Sequence, residues 1–233
     1  MDIEYYKNLI EYFLHETVNI NDSIKTHTEI VSKGVNDKQG VPYHIDVIHE
    51  NSSLLAILTT VVKYSLNKSF KVEGEKDLRN LHGKFKKAGI SLKLRLKNKN
   101  IKLNLKSERF PLINLYPIID TLPYILIDNA IKYSHKDSEI NIEMIDLGRE
   151  ITISIENFGP EIFEDEKEKL VERGYRGSHA DSSNIPGNGL GLSIAKDICE
   201  SHNGSLEIKY GNDEYNFNGR TYKKFIVSII LPK

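Results

Sequence analysis

The chain of 233 residues has one cysteine, Cys199, no tryptophan and two methionines. One cysteine excludes an intrachain disulfide and fits a reducing compartment. Net charge is also nearly absent, at -1. That excludes strong bulk attraction to nucleic acid or to an acidic membrane. No apolar run approaches the roughly 20 residues that span a bilayer. The N-terminal "MDIEYYKNLIEYFLHE" starts acidic and lacks a signal-peptide pattern. What is present, 39% hydrophobic and 28% charged residues, suffices for a soluble folded chain of one large or two small domains. A cytoplasmic location is expected, with any sensory input arriving through another chain or a missing segment.

Residues 3–33 contain neither proline nor glycine, and Ile3, Tyr6, Ile10, Phe13, Thr17, Ile20, Ile24, His27 and Val31 recur at spacings of three and four. This is a helical seam with some polar members. "GVNDKQGVP" (34–42) reads as a loop, and a second helix follows from about Tyr43 to Asn67, with Val47, Asn51, Leu54, Leu58 and Val61 as its stripe. Two helices enclose no core alone, so the seam predicts a homodimer closing a four-helix bundle. Beyond about residue 70 the period changes. "ISLKLRLK" (90–97) and "IKLNLK" (101–106) alternate and predict a hairpin; 112–134 predicts helix; "EINIEM" and "EITISIEN" predict a second hairpin. A short helical piece in "EDEKEKLVERG", a helix over 190–201 and strands over 205–210 and 224–231 complete the reading. The fold class is α+β, an N-terminal helical hairpin (1–70) followed by a layered domain (71–233).

"GNGLGLSIA" (187–195) places Gly187, Gly189 and Gly191 at alternate positions before an amphipathic helix. Bare backbone at a helix N-terminus makes an anion site, most often for phosphate. It is neither a P-loop nor a G-x-G-x-x-G fingerprint, and no strand precedes it. Upstream, "LPYILIDNAIKYS" (122–134) can bury Leu122, Ile125, Leu126, Ala130 and Tyr133 while Asp128, Asn129 and Lys132 fall near one another. An amide oxygen suits Mg²⁺ and an ammonium suits phosphate. In "ISIENFGPEI" (153–162) a strand ends in Asn157 before Gly159 and Pro160 turn the chain. A side-chain amide there can read an adenine edge, because it both donates and accepts. Residues 84–106 hold nine Lys or Arg and no acid, which the alternation spreads over a solvated face; no nucleic-acid partner is expected.

In this order the motifs resemble the GHKL ATP-binding fold, and within it the catalytic domain of sensor histidine kinases. "ILIDNAIKYS" resembles the N box, "ENFGPEI" the first glycine box, "ERGYRGS" the lid motif and "GNGLGLSIAKDICESHNGSLEI" the second glycine box. The resemblance covers residues 90–233. It implies a Bergerat-type α/β sandwich with a mixed, mostly antiparallel sheet, binding ATP with Mg²⁺. It also implies that Asn129 holds the Mg²⁺, Lys132 contacts phosphate and Tyr133 lines the pocket. Asn157 would read the adenine amino group, where the family usually has an aspartate, and Gly159 would let the backbone pass the base. Gly187, Gly189, Leu190, Gly191 and Leu192 would wrap the phosphates, and Arg173 and Arg176 would reach the γ-phosphate from the lid. Many GHKL ATPases carry a water-activating glutamate four residues before the metal-binding asparagine, and histidine kinases an asparagine; here it is Ile125.

"FLHETVN" (13–19) resembles the H box, with Ile20 in place of its proline. His15, off the seam and so exposed, is the candidate phosphoacceptor, Glu16 the general base and Asn19 a water-orienting residue. His49 in "HENSS" is the rival; His27 is expected to pack on the seam and Cys199 in the core. The resemblance therefore implies an autophosphorylating histidine kinase of a two-component system, handing the phosphoryl group to a response-regulator aspartate. A non-catalytic ATP-binding interaction module and a GHKL ATPase remain open beside it.

Overall fold

A computed structural model describes residues 3–34, 39–66, 74–109, 111–178, 189–217 and 219–233. The chain divides into two compact units, Met1–Lys71 and Val72–Lys233. The first is a helical hairpin of α1 (Ile3–Ser32) and α2 (Gly40–Leu66). Its antiparallel register is tied by polar pairs: Asn51 Nδ2 donates to Ser23 Oγ at 2.8 Å, and His27 and His44 meet Nδ1 to Nδ1 at 2.6 Å. His27 therefore packs, as its seam position requires. Ile20 and Leu58 are buried, yet Leu14 and Val18 stay 56% and 57% exposed.

The second unit runs β1 (Asp77–Asn80), α3 (Leu81–Ser91), α4 (Lys93–Asn98), β2 (Lys102–Ser107), β3 (Leu112–Leu115), a 3₁₀ turn Pro117–Thr121, and α5 (Leu122–Tyr133). Then come β4 (Glu139–Asp146), β5 (Glu150–Pro160), two more 3₁₀ turns, α6 (Gly191–Ser201), β6 (Ser205–Phe217) and β7 (Arg220–Pro232). The main sheet has the order β2-β4-β5-β7-β6, parallel between β2 and β4 and antiparallel elsewhere. This is the mixed, mostly antiparallel sheet expected. Alternate residues of β4, β5 and β7 (Ile140, Ile142, Ile151, Ile153, Ile155, Val227, Ile229, Leu231) point inward. They meet Phe85 and Leu92, Leu122, Leu126 and Ile127, and Ile194, Ala195 and Ile198 on the helices. Cys199 joins this core, and burial pushes its thiol up to about 12, so it is inert.

Three local expectations are corrected. "ISLKLRLK" is helical, not a strand: Leu81, Phe85, Ala88, Leu92 and Leu96 are buried at spacings of four, three, four and four, whereas Ile90 is 61% exposed. Asn80 caps this run by accepting from the Gly83 N–H at 2.9 Å. So β2 has no hairpin partner and pairs in parallel with β4. Residues 112–115 form a strand against β1, not helix. Pro117 disfavours helical geometry at Tyr116, so helix starts only after it. The expected helical piece before the lid is two 3₁₀ turns, Glu164–Glu166 and Glu168–Val171.

Candidate nucleotide-binding site

Helix α5 runs under the site with its apolar residues inward, Ile125, Leu126, Ile127, Ala130 and Ile131, while Asn129, Lys132 and Tyr133 stay half-buried. α6 opens beside it. A Cβ added at Gly191 would lie 3.7 Å from Ile125 Cγ2 and 3.9 Å from Asn129 Oδ1. The first turn of α6 thus faces Asn129, and Ile125 fills the neighbouring space with methyl groups. Leu190 is buried, and its carbonyl accepts from the Ile194 N–H (3.0 Å) and the Ser193 hydroxyl (2.9 Å), which starts the helix; Leu192 is half-buried.

Gly189 cannot be replaced by another residue without strain. Its φ is +69°, and a Cβ there would come within 2.5 Å of the Tyr175 carbonyl oxygen. Its own carbonyl accepts from the Gly174 N–H at 3.1 Å. Backbone contact therefore straps the glycine loop to the "ERGYRGS" segment. Arg173 of that segment is paired with Asp197 on α6 at 2.6 Å, and Arg176 is half-buried. Glu166 organises the same segment: its carboxylate accepts from the Ser178 and Phe163 N–H groups (2.8 and 3.1 Å) and from the Tyr175 hydroxyl (3.2 Å). Burial alone would raise this carboxyl, but those donors outweigh it and hold it below the usual glutamate range. Gly187 lies outside the described residues.

The residues expected to read a base lie on the sheet. Asn157, on β5 opposite Phe225 of β7, is 3% exposed, and its Nδ2 is out of solvent with no hydrogen-bond partner among the described residues. A Cβ at Gly159 would lie 3.6 Å from that Nδ2 and 3.9 Å from the Cβ atoms of Tyr133 and Phe225. The structure thus brings Tyr133, Asn157 and Gly159 together at one end, and Asn129 with Gly191 at another, all along α5.

Sequence reasoning left several supporting residues unassigned. Asp128 is buried and holds two cations, Lys132 Nζ at 2.7 Å and Arg95 Nη1 of α4 at 2.5 Å. Lys132 is thereby held on its own helix with a second positive charge beside the same carboxylate. Lys99 donates to the carbonyls of Ile131, Lys132 and Ser134 at 2.7, 2.8 and 3.0 Å, capping the C-terminus of α5 with a cation. Burial lowers its ammonium from the ordinary lysine value. The Arg95 and Lys99 contacts join residues more than 30 positions apart, so no local pattern announces them.

In the other unit His15 is exposed on α1, and its Nδ1 lies 3.1 Å from Asn19 Nδ2 one turn on. Glu16 shares the helix, but its side chain lies outside the description. His49 is also exposed. Among the described residues no helix is long and apolar enough to cross a membrane.

Residues 120–233 match the family model described as "Histidine kinase-, DNA gyrase B-, and HSP90-like ATPase". The chain is 34% identical over 128 residues to the signal transduction histidine-protein kinase ArlS of Staphylococcus aureus (strain USA300), spanning 55% of this chain and 26% of that protein. Among solved structures it resembles the Acinetobacter baumannii histidine kinase AdeS, with a TM-score of 0.56, 20% identity and coverage of 94% and 97% of the two chains. It resembles equally histidine kinase ThkA, solved in complex with response regulator protein TrrA, with a TM-score of 0.56, 20% identity and coverage of 97% and 61%. At that identity these two likenesses speak for the fold. Residues 120–233 thus match the histidine kinase-, DNA gyrase B- and HSP90-like ATPase family, and with the ArlS likeness this supports a GHKL ATP-binding core of the sensor histidine kinase type.

Proposed function

We propose that the chain is an ATP-dependent protein-histidine kinase that phosphorylates itself on His15 and passes the group to a response-regulator aspartate. The observation that carries the reading is the buried Asn157 Nδ2 on β5, without a hydrogen-bond partner among the described residues and beside Gly159 and Tyr133, the latter one helical turn along α5 from the Asn129 that lies against Gly191. A buried donor without a partner costs about 1–3 kcal/mol, which a bound acceptor recovers. An ATP base fits there. The Asn129–Gly191 side of the site suits its phosphates: Lys132 on the same helix supplies charge, Gly189 and Gly191 supply bare backbone, and Arg173 and Arg176 lie in the segment strapped to them. The Asn129 amide oxygen is a hard donor that would hold Mg²⁺, which when bound would neutralise phosphate charge. In the transfer a ring nitrogen of His15 attacks the γ-phosphorus, the bond to the β,γ-bridging oxygen breaks, ADP leaves and Glu16 takes the imidazole proton. Asn19, at 3.1 Å, orients the ring. The exposed Leu14 and Val18 support a homodimer through the hairpin. The ThkA complex supports a receiver-domain partner, and the site chemistry a cytoplasmic, ATP-rich setting.

Ile125 argues against a hydrolase, because an aliphatic side chain beside Asn129 activates no water. The test is incubation with Mg²⁺ and γ-³²P-ATP, wild type beside His15→Ala and His49→Ala. Acid-labile, alkali-stable label lost only in His15→Ala is expected. Loss only in His49→Ala would move the acceptor to α2. ATP binding without label would leave an ATP-binding module.

A further inference from the structure

The base end of the site holds a feature that bears on which nucleotide enters. Asn157 is 3% exposed, yet its Nδ2 donates to nothing among the described residues. Its surroundings are fixed. It stands in the ladder opposite Phe225, and the place a Cβ at Gly159 would take lies 3.6 Å from its Nδ2 and 3.9 Å from the Cβ atoms of Tyr133 and Phe225. A carboxylate at this place would have acceptors alone; an amide has an acceptor at one end and a donor at the other.

Purines differ at the edge such a group reads. A 6-aminopurine presents a donor, the amino group, beside an acceptor, N1. A 6-oxopurine presents an acceptor, O6, beside a donor, N1–H. A carboxylate meets either edge with one match and one clash: it accepts from the amino group of the first or from N1–H of the second, and repels the acceptor beside it. An amide pairs with the first edge through its oxygen and amide hydrogen in one orientation. It pairs with the second after a half turn that exchanges its two ends. Both pairings satisfy the buried Nδ2, and nothing among the described residues holds the amide in one orientation.

Building on the nucleotide-site reading above, we propose that Asn157 is a specificity-determining residue that admits 6-oxopurine nucleoside triphosphates alongside ATP. The probe is inosine triphosphate, which differs from ATP only at the edge in question. Calorimetric affinities of the full chain for ATP and inosine triphosphate, with Mg²⁺, are compared between wild type and Asn157→Asp. Wild type should bind the two within about fivefold. Asn157→Asp trades one of the two bonds for a repulsion on either edge, so both nucleotides should weaken by roughly 10- to 100-fold, the range for losing one bidentate match. A wild-type preference for ATP above about 50-fold would overturn the proposal and leave the ATP site intact. So would an Asn157→Asp variant that binds both nucleotides as tightly as wild type. Failure of wild type to bind either nucleotide would instead sink the nucleotide-site reading and this proposal with it. If Asn157→Asp does not fold, the wild-type ratio decides alone.

Discussion

The two units solve the problem of enclosing a core differently. Val72–Lys233 places helices on one face of a five-stranded sheet and buries a continuous set of Ile and Leu side chains between the layers. Met1–Lys71 has two helices and, among the described residues, buries Ile20 and Leu58 as its apolar side chains. Its register rests instead on the His27–His44 and Ser23–Asn51 pairs, while Leu14 and Val18 remain in solvent. Polar pairs between helices specify alignment better than they stabilise it. The α+β unit therefore encloses its own core, and the hairpin's sparse one supports the proposed association.

Paired substitutions test that contrast. Leu126→Ala removes a fully buried side chain from α5 and should cost the α+β unit about 3 kcal/mol, independent of protein concentration. Leu14→Ala would be near neutral in a lone hairpin, within about 0.5 kcal/mol. In an associated bundle it should lower the hairpin's melting temperature, which itself rises with concentration. Thermal unfolding at two concentrations about 100-fold apart reads both. A hairpin transition that ignores concentration, with Leu14→Ala silent, would mean that the exposed stripe is ordinary surface.

Within the α+β unit the next effect concerns how α5 is held. Lys99 places a partly buried ammonium against three carbonyls at the helix end that precedes Ser134. Lys99→Met keeps the aliphatic stem and removes the cation, which should cost about 1–2 kcal/mol. Because Asn129, Lys132 and Tyr133 all ride on this helix, ATP affinity should fall too, by roughly three- to tenfold for a loss near 1 kcal/mol. Lys99→Arg should recover part of both. Stability lost with affinity unchanged would show that the cap serves the fold and not the site.

The contrast also explains what could be read from the chain. β4, β5 and α6 were legible because one residue pattern and one buried face coincide: the inward residues of Glu150–Pro160 alternate without interruption. The glycine loop was legible because Gly189 meets backbone, and backbone tolerates no substitute. The α3–α4 region was misread because leucines at every second position carry both a strand alternation and, through Leu81, Phe85, Ala88, Leu92 and Leu96, a helical stripe. Burial by the sheet decides between the two, and a single segment cannot show it. The Arg95–Asp128–Lys132 cluster was half legible: Asp128 and Lys132 are neighbours on one helix, but Arg95 arrives from α4.

The smallest expected effect is a pH dependence confined to the α+β unit. His202 follows α6 and is buried; its Nδ1–H donates to the Ile198 carbonyl at 2.7 Å, and its Nε2 accepts from the Tyr116 N–H at 3.0 Å. It ties α6 to the segment before α5 in a neutral form. Burial, with the nearby Lys76 and Arg79, holds its folded pKa below the ordinary histidine value despite its backbone hydrogen bonds. Below about pH 6.5 the unfolded chain takes up a proton that the folded one refuses, so stability is complete above that pH and is lost as pH falls toward the folded value. Urea midpoints at about pH 7.5 and 5.5 should therefore separate in wild type and draw together in His202→Gln, which also starts lower. Every other residue is the same in both proteins, so the difference between the two slopes isolates His202. Parallel slopes would mean that the imidazole is free to charge in the folded state, and that its bond to Tyr116 contributes little to holding α6 beside the site.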